Sequence, residues 1–126
     1  MDSKPIRLVQ QLLARSNEGK VRWEKTVDSG EYQAAFPHYS VRTFSRFNSE
    51  TDVEDYFLQI YNEEGELVEE ISDGEFTIML GPNATPSGFK IMKDLYEVAR
   101  RTAMGVEAAL DTILAELEVD KDATPF

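Results

Sequence analysis

The fold is decided by residues 87–118, which read SGFKIMKDLYEVARRTAMGVEAALDTILAELE. Apolar side chains recur in this stretch at steps of three or four residues, which places them on one face of a helix. Thr85, Pro86 and Ser87 supply capping hydroxyls and a first-turn proline. The apolar stripe keeps its phase across Gly105, although a glycine inside a helix costs about 1 kcal/mol. The pattern therefore predicts one amphipathic helix of about 30 residues, bent at most, rather than two helices.

A short helix and a series of strands precede this stretch. Residues 4–16 carry an apolar face behind Ser3, a good capping residue, and predict a helix. Alternation of apolar and polar side chains predicts five strands, at 21–27, 31–36, 39–47, 56–61 and 67–71. A bulge near Thr43 is expected because the third pattern is irregular. Residues 76–80 are a short apolar run, expected to be either an edge strand or a packed loop.

These segments predict an α+β fold in one domain. A short N-terminal helix and the long C-terminal helix would pack on an antiparallel sheet of about five strands. The domain is expected to span residues 1–119 and to be followed by a polar tail at 120–126. The expected core residues are Val9, Leu13, Trp23, Leu58, Ile60, Leu95, Val106, Leu110 and Ile113.

Composition excludes several classes of protein. The chain has no cysteine, which excludes disulfides, thiolate catalysis and zinc–cysteine sites. It has no run of about 18 apolar residues and no signal-peptide pattern, so the default expectation is a cytoplasmic protein without a membrane span. Its net charge of −11 disfavours direct binding to nucleic acids or to anionic membranes.

The negative charge is concentrated in one segment. Residues 48–75 contain eleven Asp or Glu residues and no Lys or Arg. The segment has three interpretations: a solvated surface that blunts a sheet edge, a docking surface for a basic partner, or a divalent-ion site. Neither the acidic turn at 62–66 nor the one at 72–75 has the regular spacing of oxygen ligands that a calcium loop requires, which disfavours the ion site. The candidate partner-binding residues are Asp52, Glu54, Asp55, Glu63, Glu64, Glu66, Glu69, Glu70 and Asp73.

Other constellations are weaker. The sequence lacks a nucleophile elbow, a histidine pair and a phosphate-binding glycine loop, so no catalytic residue, metal or cofactor is expected. The only histidine, His38, follows a proline and is expected at a surface or edge. A basic group at Arg22, Lys25, Arg42 and Arg46 is explained better by pairing with Glu24 and Glu31 across strands than by an anion site.

Two further hypotheses concern the long helix. Trp23, Tyr32 and Tyr96 would line a small-ligand pocket between the sheet and this helix, although Trp23 is explained better as a core anchor. Small side chains from Ala99 to Ala109 would allow a homodimer seam, although close packing inside the domain is the simpler explanation.

Parts of the chain resemble a group of uncharacterised small bacterial α+β proteins. The resemblance rests on the stretch from Gly19 to Thr26, the Asn62–Glu66 loop and the helix segment from Leu95 to Arg101. It implies a bacterial or phage source and no activity. The acidic surface at 50–75 favours a non-enzymatic protein-interaction module of the inhibitor, immunity or adaptor type. Its expected partner has a basic surface and is, for example, a nucleic-acid-binding protein. The alternative is a small-ligand binding domain.

Overall fold

A computed structural model of the protein describes residues 3–120. It confirms the predicted α+β class: an N-terminal helix is followed by five strands and then by three helices. In chain order the elements are α1 (Lys4–Asn17), β1 (Glu24–Lys25), β2 (Glu31–Ala35), β3 (Tyr39–Asn48), β4 (Val53–Asn62), β5 (Leu67–Ser72), α2 (Asp73–Leu80), α3 (Gly88–Ala103) and α4 (Val106–Asp120). The expected tail at 120–126 lies outside the described residues, except for Asp120, where α4 ends.

The sheet is an antiparallel meander in which each strand pairs with the next, in the order β1-β2-β3-β4-β5. The ladder between β3 and β4 runs without a break from Tyr39 opposite Asn62 to Asn48 opposite Val53. The bulge expected near Thr43 is therefore wrong. Thr43 is buried on the inner face, and its hydroxyl donates to the carbonyl of Phe57 at 3.0 Å. Because this hydrogen bond satisfies the hydroxyl, Thr43 can be buried on the inner face at little cost. The strand therefore keeps its regular alternation and needs no bulge.

The first strand, β1, is shorter than the predicted 21–27, because the residues before it pack into the core and do not pair with β2. Val21 and Trp23 are buried, and the Trp23 Nε1 donates a 2.8 Å hydrogen bond to the Oγ of Ser16 near the end of α1. An indole that is buried and hydrogen-bonded in this way fastens a helix to its neighbours. Trp23 is therefore the expected anchor between α1 and the sheet.

The apolar run at 76–80 belongs to a helix, so both the edge strand and the packed loop are wrong. The Ser72 hydroxyl accepts from the Glu75 backbone N–H at 3.1 Å, and the Glu75 carboxylate accepts from the Ser72 N–H at 3.2 Å. This reciprocal capping box starts α2. The Ser-x-x-Glu signature that predicts it is present in the sequence at 72–75.

The predicted single long helix is wrong, because it divides at Gly105. Gly105 has a φ of +67°, and its N–H donates to the carbonyl of Thr102 at 3.2 Å. Glycine adopts this left-handed conformation without the penalty that a Cβ brings, and it commonly ends helices. The constant phase of the apolar stripe on either side of Gly105 does not reveal this break.

The core lies between the inner face of the sheet and the helices α1, α2 and α3. Phe76, Leu58, Met92 and Leu95 are among its fully buried side chains. Of the expected core residues, Val9, Trp23, Leu58 and Leu95 are buried, while Leu13 and Ile60 pack against the core and are partly buried.

The expected core positions of α4 are wrong. Leu110 and Ile113 are 46% and 52% exposed, and Val106 is only half-buried. The reason is the break between α3 and α4 at Gly105, which we call the elbow. Beyond it, α4 contacts only α3 among the helices and strands of residues 3–120. Within the same residues, no helix combines the length and the apolar character that a membrane span requires.

Candidate functional site

The predicted acidic residues fall at the two ends of β4, which are about 30 Å apart at 3.3 Å per residue. Asp52, Glu54 and Asp55 lie at the turn before β4 and at its start. The remaining strand and loop acids belong to the β4–β5 hairpin, and we call them the acidic hairpin: Glu63, Glu64, Glu66, Glu69 and Glu70. The structure therefore divides the predicted docking surface into two groups, of which the acidic hairpin is the larger.

The loop of the acidic hairpin is held in shape by Asn62. Its Oδ1 accepts from the backbone N–H groups of Glu64 at 3.1 Å and Glu66 at 2.9 Å, and its Nδ2 donates to the Glu66 carboxylate at 3.0 Å. Gly65 has a φ of +80°, which completes the turn. An Asn side chain that bonds the backbone in this way fixes a loop. The carboxylates are therefore presented by an ordered turn at the edge of the sheet.

Within residues 3–120, the carboxylates of the acidic hairpin form no ion pair with a lysine or an arginine. Glu63 pairs with His38, which is exposed as expected, and Glu70 accepts from the Nε2 of Gln59 at 2.7 Å. Every lysine or arginine that forms an ion pair within residues 3–120 does so with a carboxylate outside the 48–75 segment. The negative charge of the acidic hairpin is consequently not neutralised within the described part of the chain.

Asp73 does not belong to this surface. Its side chain is buried, and its Oδ1 accepts a 2.9 Å hydrogen bond from the backbone N–H of Tyr56. Asp73 is also the first residue of α2, where a carboxylate interacts favourably with the helix dipole. Its sequence neighbours gave no sign of this role, because the partner N–H lies 17 positions away.

The outer face of the sheet is not covered by a helix of the described chain, and it carries the predicted basic residues of β3. Arg42 donates to the Glu31 carboxylate at 3.1 Å, as the expected cross-strand pairing requires. Arg46 lies over the stacked rings of Phe44 and Phe57, 4.9 Å and 5.3 Å from their centroids. A shallow cavity of about 570 Å³ beside them mixes both signs of charge. This arrangement explains how Phe44 is buried on a face without helices.

The pocket expected between the sheet and the long helix is filled by its own predicted lining. Trp23 and Tyr32 are buried, and the Tyr32 and Tyr96 rings pack with centroids 5.7 Å apart. Burial raises the pKa of the Tyr32 hydroxyl, and the neighbouring Tyr96 adds to this. Surface cavities of about 270 to 570 Å³ lie elsewhere on residues 3–120, and these three side chains do not line them. The ligand-pocket hypothesis therefore has no support in this region.

A second candidate surface, on α4, was not predicted from the sequence. Large apolar side chains of this helix are about half exposed: Leu110, Ile113, Leu114 and Leu117. The sequence signal that indicates it is Gly105, since a glycine stop separates this half of the stripe from the half that covers the sheet.

Comparison with protein-family models, with curated proteins and with solved structures finds no match to this chain. Among residues 3–120 there is also no cluster of three or more histidine, aspartate or glutamate side chains arranged to hold a metal ion. The candidate sites therefore rest on the geometry and the charge of the chain itself.

Proposed function

We propose that this chain is a non-enzymatic protein-interaction module that holds a basic partner protein through the acidic hairpin. The observation that carries the proposal is the absence of any lysine or arginine ion pair for these carboxylates within the described residues. Carboxylates that are already paired would have to exchange one partner for another on binding. Carboxylates without a lysine or arginine pair can gain charge-assisted hydrogen bonds from these side chains of a partner.

The position of the acidic hairpin at a sheet edge supports the same function. Among residues 3–120, β5 pairs with β4 on one side and has no strand on the other, so it presents backbone groups along this edge. Leu67 and Val68, on the same strand, are about half exposed. Protein interfaces combine apolar contacts with a polar rim, and this edge offers half-exposed apolar side chains next to carboxylates. The proposal covers the inhibitor, immunity and adaptor roles alike, since all three need a complementary surface rather than a reaction centre.

The expected partner has a cluster of lysine and arginine side chains. A nucleic-acid-binding protein fits this description, because its binding site for phosphates would accept carboxylates in their place. Direct binding of nucleic acids or of anionic membranes by the acidic hairpin is disfavoured by the same charge.

The test is capture of a partner from a lysate of the source organism, with identification by mass spectrometry. The charge-reversed variant Glu64→Lys/Glu69→Lys changes two exposed side chains of the acidic hairpin. The matched control Glu24→Lys/Asp28→Lys makes the same change in charge near β1, at the opposite edge of the sheet. We expect wild type and control to capture the same basic protein at low salt and to release it near 0.3 M salt, where the screening length is well below about 10 Å.

The hairpin variant is expected to lose that partner while keeping the circular dichroism spectrum of the wild type. Equal capture by the hairpin variant, or a partner without a basic surface, would contradict the proposal. Failure of the wild type to capture any protein at low salt would contradict it as well.

A further inference from the structure

Helix α4 carries a continuous apolar stripe that no other part of residues 3–120 covers. Leu110, Ile113, Leu114 and Leu117 are each between 46% and 53% exposed, and α3 is the only helix or strand of residues 3–120 that contacts α4. Single apolar side chains on a surface need no explanation, whereas contiguous apolar patches mark interaction sites. A helix of 15 residues is also marginal in water without packing. Both points indicate that α4 is completed by another molecule.

The spacing of the stripe specifies what kind of surface covers it. Val106, Leu110, Ile113 and Leu117 follow one another at steps of four, three and four residues, which is the seven-residue repeat of a coiled-coil seam. Leu114 widens the seam on one side. Side chains spaced in this way fit into the gaps of a second helix that lies alongside.

The charges on α4 select the partner. Its polar residues include Glu107, Asp111, Glu116 and Glu118, and the helix contains no lysine or arginine. Glu107 pairs with Arg101 of α3 at 2.8 Å, while no ion pair within the described residues involves the other three. Glu116 lies directly beside the seam, while Asp111 and Glu118 border it only on the side that Leu114 widens. A partner helix with lysine or arginine beside its own apolar stripe would complement these carboxylates, because opposite charges at the flanks of a seam set partner choice.

A second copy of this chain fits α4 less well. Two α4 helices would bring together carboxylates with no opposite charge, which destabilises the pair. An anionic membrane is disfavoured by the same charges, because helices that lie on such membranes carry lysine and arginine on their polar face.

A cavity at the elbow between α3 and α4 extends the apolar stripe and offers space for a large side chain of a partner. A cavity of about 440 Å³ opens there, between the end of α1, the last turn of α3 and the start of α4. Its lining includes Ser16, Val98, Thr102 and Val106. Val106 belongs to the apolar stripe as well, so the cavity and the stripe form one continuous surface.

We propose that α4, together with the cavity at its base, docks an amphipathic helix of a partner protein whose apolar stripe is flanked by lysine or arginine side chains. This surface is separate from the acidic hairpin, so the two proposals can fail independently.

The test uses the full chain and a synthetic probe. The probe is a helical peptide of about 21 residues, or three heptads, with leucine at the seam positions and lysine at the flanks. A second peptide with glutamate at the flanks controls for apolar attraction alone. Binding is measured by fluorescence anisotropy at about 0.15 M salt, where interactions between distant surface charges are screened.

Three variants separate the possibilities. Leu110→Gln/Ile113→Gln/Leu117→Gln removes the stripe while keeping a residue that favours helices. Thr112→Gln/Ala115→Gln/Val119→Gln makes the same number of changes off the stripe. Glu64→Lys/Glu69→Lys alters only the acidic hairpin. We expect the stripe variant to bind the lysine peptide at least about tenfold more weakly than the wild type, and the other two variants to bind within about threefold of it.

Several outcomes would overturn the proposal. Absence of binding by the wild type, or equal binding by the stripe variant, would show that α4 is not the docking element. If the glutamate peptide bound as tightly as the lysine peptide, the proposed preference for a partner helix with basic flanks would be wrong. A dimer of the wild type that the stripe variant abolishes, seen by sedimentation, would assign the stripe to a second copy. Stripe-dependent binding to phosphatidylglycerol vesicles would assign it to a lipid surface.

Discussion

Helices α3 and α4 have apolar stripes of the same phase but opposite environments. In α3, Ile91, Met92, Leu95 and Ala99 are buried against the sheet and against α1 and α2, whereas the apolar side chains of α4 are about half exposed. Their polar faces also differ. α3 carries both signs in ion pairs such as Lys90–Asp94, while the charged residues of α4 are all acidic. The amphipathic spacing of a helix therefore indicates that its apolar face packs against another surface. The charges beside that face indicate whether this surface belongs to the same chain or to a partner.

The sharpest way to break this comparison is to shorten one leucine in each helix. Leu95→Ala in α3 removes a fully buried side chain and is expected to lower the free energy of unfolding by about 2–5 kcal/mol. Leu110→Ala in α4 removes a half-exposed one and is expected to change it by less than about 0.5 kcal/mol. Urea denaturation followed by circular dichroism measures both. Similar losses for the two variants would mean that α4 is packed as firmly as α3 in the isolated chain.

Most of the fold was predictable because local rules and packing agree. The strands from β2 to β5 and α1 follow from alternation, turns and caps, and the inner face of the sheet needs the cover that α1 and α3 supply. The prediction of a single long helix failed at Gly105, because the apolar residues keep the same periodicity on both sides of the break and so do not reveal it. The prediction for residues 76–80 failed because a short apolar run has no period of its own, and because Asp73 and Gly74, inside the capping box of Ser72 and Glu75, also form a turn signal.

The candidate site was predicted in part. The uneven charge of residues 48–75 indicated the acidic hairpin, since a strand–turn–strand pattern places Glu63, Glu64 and Glu66 in one loop. Nothing local distinguished Asp73, whose carboxylate is used by the distant Tyr56 N–H. The tyrosines expected around a ligand instead fill the space between α3 and the sheet, because residue type and spacing do not reveal whether facing rings touch or leave a gap.

The two glycines at the ends of α3 offer an intermediate test. A Cβ at Gly88 would lie 2.6 Å from the backbone N and Cα of Thr77 in α2, so Gly88→Ala must push α2 and α3 apart. We expect a loss of about 1–3 kcal/mol, as for other overpacked sites. A Cβ at Gly105 meets nothing within 4 Å, and only its φ of +67° is strained, so Gly105→Ala is expected to cost about 1 kcal/mol.

Thermal unfolding followed by circular dichroism ranks the two glycine variants. The control is Gly19→Ala, because Gly19 also has a positive φ and open space around it, at the end of α1. We expect it to behave like Gly105→Ala. A larger loss at Gly105 than at Gly88 would mean that the elbow is held by packing, against the description of α4 as free of the core.

The smallest expected effect is alkaline sensitivity confined to the interface between α3 and the sheet. Burial raises the pKa of Tyr56, with a further contribution from Glu97, and burial likewise raises that of Tyr32. A raised folded-state pKa means that the stabilisation is complete below the ordinary tyrosine value of about 10 and is lost as the pH rises through the folded-state value. Tyr32→Phe/Tyr56→Phe keeps both rings against Tyr96 and removes the ionisable groups. The urea midpoint of this variant should therefore fall less steeply above pH 10 than that of the wild type. An unchanged slope would place the alkaline transition elsewhere and would leave the buried face of α3 no more sensitive to pH than the exposed face of α4, which contains no tyrosine.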